Sequence, residues 1–368
     1  MSRLTLFHVG FLFLILFFTT TAKAQKEAET FNVDSTLYEY YQRCQEYLLE
    51  PVVLSMSDTL FRMAGERHDE RMQAVAIATR LDYYYFQGTN EDSVIHYTNK
   101  VKEFAKATHQ PKYYYFAWAN RLVTYYLKTS RTNIALYEVQ NMLKEAQKED
   151  DKTGLSRCYN IMSQIYTIKR FDSMAFEWRL KEIELTEKYN IENYNISQTY
   201  AQIANYYISQ KKQKEALRAV EKAISTANSS TQQISAKLEY VNYYSKFGDF
   251  QAAEKILKEC QIAFEQDKRL ESIKKRLYNI ECLYYQQTRQ YQKALEAAEM
   301  QEKEEHRLSE SILSSSHYRT QGEIYQKMGN MNMAVKYLQM YINTDDSLKI
   351  ANEQVASSEF ATLLNVEK

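Results

Sequence analysis

Tyrosine returns along this chain at Tyr84, Tyr126, Tyr166, Tyr207, Tyr244, Tyr285 and Tyr325, at intervals of 42, 40, 41, 37, 41 and 40 residues. Nine residues after each stands a small residue: Ser93, Ala135, Ala175, Ala216, Ala253, Ala294 and Ala334. Tyrosine is abundant here, 32 of 368 residues, but abundance alone does not hold two columns in one register seven times over. A unit of this size cannot bury an apolar face by itself, so successive units must stack into a one-dimensional solenoid. That constraint also resolves a tension in length. The chain is longer than one compact core usually serves, yet with only Pro51, Pro111 and seven scattered glycines it has no linker that would divide it.

Each unit reads as a helical hairpin. Between Lys237 and Glu259, Leu238, Val241 and Tyr244 recur at helical spacing. Gly248-Asp249-Phe250 makes a turn, and Ala252, Ala253, Ile256 and Leu257 place an apolar stripe on a second helix. In the last unit Tyr318, Gly322 and Tyr325 precede the turn Gly329-Asn330, and Ala334, Tyr337 and Leu338 follow. Gly88, Gly248 and Gly329 share one aligned turn position, where glycine takes positive φ beyond a helix end. The intervening residues are rich in Ala, Leu, Lys, Glu, Gln and Met, and no segment calls for a strand.

The run of aromatic, small residue, Tyr, Gly and Ala resembles the tetratricopeptide repeat (TPR). The pattern falls on Tyr318, Gly322, Tyr325, Gly329 and Ala334 in the seventh unit, and on Tyr278, Cys282, Tyr285 and Ala294 in the sixth. The resemblance covers roughly residues 74 to 344. It implies an all-α, right-handed α-solenoid of about seven hairpins. The period near 40 exceeds the 34 residues of that family, so each helix is expected to be about a turn longer. HEAT and armadillo repeats have a nearer period, but the Tyr and Ala columns fit TPR better.

The ends differ from the middle. Residues 1–24 read as a secretory leader: Arg3 begins it, Val9 to Phe18 is an apolar run of ten, and Ala22-Lys23-Ala24 is a signal-peptidase pattern. The alternative is an uncleaved anchor, but a membrane span takes about 20 apolar residues. Residues 25–72 read as a degenerate helix pair, with Leu37, Tyr40, Tyr41, Cys44, Tyr47 and Leu48 on one face and Pro51 as the break. Residues 73–344 hold the seven repeats. Residues 345–368 are expected to form a separate capping or stem helix, with Asp345-Asp346-Ser347 as its N-cap.

Charge and chemistry exclude several classes. Lys and Arg number 47 against 47 Asp and Glu, interspersed and without a basic stripe, so nucleic acid and anionic membrane surfaces are poor partners. No phosphate loop, nucleophile elbow or HExxH motif occurs, no cofactor is implied, and His68, His96, His109, His306 and His317 are too scattered for a metal site. They read as solvated or turn residues. Cys44, Cys158, Cys260 and Cys282 do not form a disulfide framework. Stacked helices could bring Cys260 to Cys282, although Cys282 stands in a column of small residues where packing is the simpler role.

The remaining feature is a polar column. The first helix of each TPR hairpin lines a concave surface, and the resemblance places Asn120, Arg157, Asn160, Gln164, Asn205, Asn242, Arg276, Asn279 and Arg319 there. Asparagine competes with the helix backbone for hydrogen bonds, so five of them exceed what helix propensity favours. Amides donate and accept, and a ladder of them suits the backbone of an extended peptide. The family's carboxylate clamp is not matched, since Ala201 and Glu239 stand where a basic residue and an amide are expected. An ordinary hydrophilic helix surface also accounts for the column.

The reading is an exported, non-catalytic solenoid that binds a protein or peptide. It resembles the extracytoplasmic TPR regions of bacterial histidine kinases and regulators, which implies a membrane-bound signalling partner. The alternative is a soluble glycan- or nutrient-binding accessory protein, for which Tyr83-Tyr84-Tyr85 and Tyr113-Tyr114-Tyr115 would have to be exposed stacking platforms. Expressed in a secreting bacterium, the protein is expected to begin at Gln25 on N-terminal sequencing. A mature chain starting at Met1 would make the leader an anchor.

Overall fold

The computed structural model describes residues 33–88, 90–308 and 316–366. The expected leader, residues 1–24, lies outside them. Among the described residues all regular structure is helical. Two helices precede the repeats, α1 (Ser35–Glu46) and α2 (Val52–Glu66). Seven hairpins follow. The first pairs α3 (Glu70–Gln87) with α4 (Glu91–Ala107). In the second, α5 (Pro111–Tyr115) runs through a π-helical stretch, Phe116–Val123, into α6 (Thr124–Lys128) and pairs with α7 (Thr132–Lys148). Then come α8 (Lys152–Ile168) with α9 (Asp172–Tyr189) and α10 (Ile196–Ser209) with α11 (Gln213–Ser225). The fifth pairs α12 (Ser230–Phe247) with α13 (Phe250–Gln266). The last two pair α14 (Lys274–Gln287) with α15 (Tyr291–Leu308) and α16 (Ser316–Lys327) with α17 (Met331–Val366). Contacts divide the chain into two compact units, residues 1–158 and 159–368.

The uneven spacing of the tyrosines has a local cause. The longest interval, 42 residues, spans the π-helical stretch, where i→i+5 bonding takes up an extra residue. The shortest, 37, spans α11, which has 13 residues where α4, α7 and α13 have 17.

The two columns do different work. The small residues from Ala135 to Ala334 are at most 2% exposed, with Ser93 half-buried, so each lets its hairpin's two helices approach. The tyrosines link one hairpin to the next. Tyr244 packs against the cluster around Ile203, Ala204 and Val220 and also against that around Leu238, Val241 and Leu257. Tyr285 bridges the latter to the cluster around Cys282, Ala294 and Ile324. All four cysteines are free and buried, which fits the packing role expected of Cys260 and Cys282. Burial in apolar surroundings pushes the Cys260 thiol up to about 11.

Every tyrosine column residue also marks a helix end. The residue four positions on takes the left-handed conformation in all seven hairpins: Gly88, Gly248 and Gly329, but also Ser130, Arg170, Lys211 and Arg289, at φ of 57° to 90°. From the second hairpin to the seventh the next residue donates its N–H back to the tyrosine carbonyl, as from Lys212 to Tyr207 at 2.9 Å and from Gln290 to Tyr285 at 2.8 Å. This is the Schellman closure. His68 and His109 take the same conformation at the ends of α2 and α4, so both are turn histidines. His317 departs from that reading: it is 8% exposed, with Nε2 3.1 Å from a Glu302 carboxylate oxygen.

The C-terminus differs from expectation. No new helix starts at Asp345; α17 runs unbroken for 36 residues, about 54 Å at 1.5 Å per residue. Its sequence has no Gly or Pro to stop it, and Asp345 is paired with Lys349 one turn on at 3.0 Å rather than with a free helix N–H.

A non-glycine residue in the left-handed region carries strain that glycine does not. Lys211→Gly and Arg289→Gly are therefore each expected to stabilise the protein by about 0.5–1 kcal/mol, read as a rise in Tm. An unchanged or lowered Tm in both would show that the turns are not strained.

Candidate functional site

The second unit places a polar track on the first helices of its hairpins. Asn160 and Gln164 project from α8 beside α10, over Arg179 and Glu182 of α9. Two hollows mark the track. One of about 370 Å³ is lined by Asn160, Gln164, Arg179, Asn195, Gln198 and Gln202. The other, about 140 Å³, is lined by Gln198, Thr231, Gln232, Ser235 and Arg276. Gln198 belongs to both.

Beneath the track are buried charges. Glu182, 1% exposed, accepts from Asn160 Nδ2 at 3.1 and 3.2 Å, from Asn193 Nδ2 at 2.9 Å and from Thr199 Oγ1 at 3.4 Å. Arg179, 7% exposed, donates Nε to Gln202 at 2.7 Å and Nη2 to Thr167 at 2.7 Å; burial lowers its pKa, opposed by Glu182. Glu239, also 1% exposed, is paired with Arg276 of the next hairpin and lies 3.5 Å from Asn242 Nδ2. Each buried carboxylate is thus held by several donors, as an ion out of water must be.

The expected site residues divide accordingly. Gln164 Nε2 donates to Asn160 Oδ1 at 2.7 Å, and Asn242 Nδ2 donates to Asn205 Oδ1 at 2.6 Å across two hairpins. These amides are therefore spent in part on the fold. Asn205, Asn279 and Arg319 are exposed, and Arg319 pairs with Glu323 on its own helix at 2.8 Å. Asn120 and Arg157 are exposed residues of the first unit and lie outside both hollows. Sequence reasoning missed Glu182 and Arg179, which sit among charged neighbours on a second helix and read as a solvated face. Glu239 was visible as the residue standing where an amide was expected. Gln198 and Gln202 were also missed, because they lie outside the aligned column.

The tyrosine triplets offer no open platform. Tyr85 and Tyr115 are buried and the other four half-buried, with Tyr83 against Tyr84 at 5.1 Å and Tyr114 against Tyr115 at 5.3 Å, both edge-to-face.

No family model and no curated protein matches the chain. Solved structures do. The apo form of the quorum sensor NprR from B. thuringiensis is 14% identical, covers 87% of this chain and 91% of its own, and has a TM-score of 0.52. A tetratricopeptide repeat protein from Parabacteroides merdae is 12% identical, covers 88% and 99%, and has a TM-score of 0.46. The fold is that of a TPR solenoid. At such identities the likeness is one of fold.

The buried polar network has a measurable consequence. Asn160→Ala removes one of three side chains that donate to a carboxylate that stays buried, and is expected to cost about 1–3 kcal/mol in chemical denaturation. Asn279→Ala, on an exposed position, is expected to stay within about 0.5 kcal/mol. Equal effects would show that Asn160 does not support Glu182.

Proposed function

We propose that the protein is an exported, non-catalytic TPR solenoid that binds an extended protein or peptide segment along the track of its second unit. The observation that carries this reading is the pair of hollows that share Gln198 as a lining residue, with Gln202 lining one and Arg276 the other. Amides repeated at the spacing of successive hairpins match the repeating N–H and C=O groups of an extended backbone, and the buried carboxylates hold their bases in place. A sensory or scaffold role in a bacterial signalling system, beside a membrane-bound partner, accords with the leader-like residues 1–24. NprR, of similar fold, is itself a quorum sensor. Among the described residues no helix is long and apolar enough to cross a membrane, so that partner would be a separate protein or a segment outside them.

The test is a cellulose-bound array of extended peptides, followed by fluorescence anisotropy on the strongest binder. Gln198→Ala changes an exposed side chain, so the fold should persist while affinity falls about twofold to tenfold, the range of one lost hydrogen bond. Binding that is indifferent to Gln198→Ala and Asn205→Ala together, with Tm unchanged, would remove the site from this track.

A further inference from the structure

The first unit contains a different cavity. Between α1, α3 and α5 lies a cleft of about 430 Å³, within the roughly 300–1,000 Å³ of small-molecule pockets. Val75, Ala78 and Asp82 contribute from α3, Tyr41 from α1, and Tyr113 and Phe116 from α5 and the start of the π-helical stretch. Its floor is buried, with Met72, Ala78 and Thr79 between 2% and 6% exposed.

An ion pair borders this cleft. Asp82 is bound to Arg121 Nε at 2.5 Å, with side chains 14% and 17% exposed. The Arg121 guanidinium is in turn held over the rings of Phe116 and Tyr85, at 4.3 and 4.8 Å from their centroids. Arg71 lines the cleft, and at Tyr113 its field is opposed by that of Asp69. A charged ligand would therefore bring an uncompensated charge into a desolvated space, which is costly. A neutral one would not.

The walls supply what a neutral ring needs. Tyr41 and Tyr113 hold their protons above the ordinary tyrosine range, chiefly through burial, so both remain O–H groups able to donate and accept. Phe116, Val75 and Met72 offer apolar and aromatic surface for a ring face. Phe116 and Arg121 both belong to the π-helical stretch, a local irregularity of a kind that recurs at functional sites.

We propose that this cleft is a second binding site, for an uncharged aromatic molecule that carries a hydrogen-bonding head group. Such a ring comes from two sources, a free small molecule or the side chain of a peptide. The cleft is independent of the amide track, so Gln198→Ala leaves its binding unchanged.

The experiment titrates the full chain by ligand-observed NMR with p-cresol and indole as free rings, N-acetyl-tyrosinamide as a peptide-like ring, and 4-hydroxyphenylacetate and tyramine as charged controls. The neutral probes are expected to bind about tenfold or more tightly than the charged ones, one uncompensated charge costing at least that much in a poorly hydrated site. Val75→Trp fills the cleft and is expected to abolish binding; Gln42→Trp at its edge does the same should the first variant fail to fold. Tyr113→Phe keeps the ring, and should weaken the probes about twofold to tenfold if its hydroxyl bonds the head group. Tighter binding of N-acetyl-tyrosinamide than of p-cresol names a peptide as the source, and the reverse names a free molecule. Absence of binding by every neutral probe at millimolar concentration overturns the site. So does parental affinity in a folded Val75→Trp or Gln42→Trp variant, or charged probes binding as tightly as neutral ones.

Discussion

Two successive joints between hairpins in the second unit each rest on one tyrosine ring shared by two cores. Tyr244 belongs to the cores of the fourth and fifth hairpins at once, and Tyr285 to those that follow. A half-buried ring of this kind contributes on the order of 2 kcal/mol, too little to hold a hairpin alone but enough, repeated, to make each unit depend on its neighbour. Tyrosine suits the place better than phenylalanine because the ring is only partly covered and its hydroxyl can reach water. Its carbonyl does a second job, closing the helix end that turns the chain into the next helix. Register along the solenoid and direction of the chain are therefore set at the same residue.

The polar side of the second unit follows from that stacking. Once first helices stand side by side, a carboxylate between two of them leaves water and must be satisfied by whatever its neighbours offer. Glu182 draws on Asn160, Asn193 and Thr199, and Glu239 on Arg276. Removing one partner would cost more than forming the pair gained, since the remaining charge stays buried. The asparagine column is thereby divided between residues that hold the fold, such as Asn160, and exposed ones such as Asn279, while Gln198 faces outward beside it. The first unit uses its space differently: a matched ion pair, Asp82 with Arg121, borders an aromatic cleft in place of an amide track.

Much of the fold was legible because it is written twice in each repeat. The Tyr and small-residue columns, seven aligned turns and helical periodicity agree on hairpins, and Gly88, Gly248 and Gly329 mark the turn conformation directly. The same conformation at Ser130, Arg170, Lys211 and Arg289 was not legible, because nothing in those side chains asks for positive φ. Only the pull of the repeat, closing each helix onto its tyrosine carbonyl, puts them there. The cap expected at Asp345 was misleading in the opposite way: an acidic pair before an apolar run looks like a helix start, but α17 has no breaker to make it begin again.

The sequence by itself determined the helices, their pairing into hairpins and the small contact inside each pair, because these depend on residues close along the chain. It also marked amides such as Asn160, Asn205 and Asn242 as a candidate column. Tertiary structure alone decided which of those amides are consumed. Asn160 and Asn242 became partners of Glu182 and Asn205 only when helices 22 and 37 residues apart were set side by side. The cleft between α1, α3 and α5 was decided the same way, since three separate helices must meet before Tyr41, Asp82 and Tyr113 share one cavity. Burial and the pairing of distant charges are properties of the packed solid, and a one-dimensional pattern does not carry them.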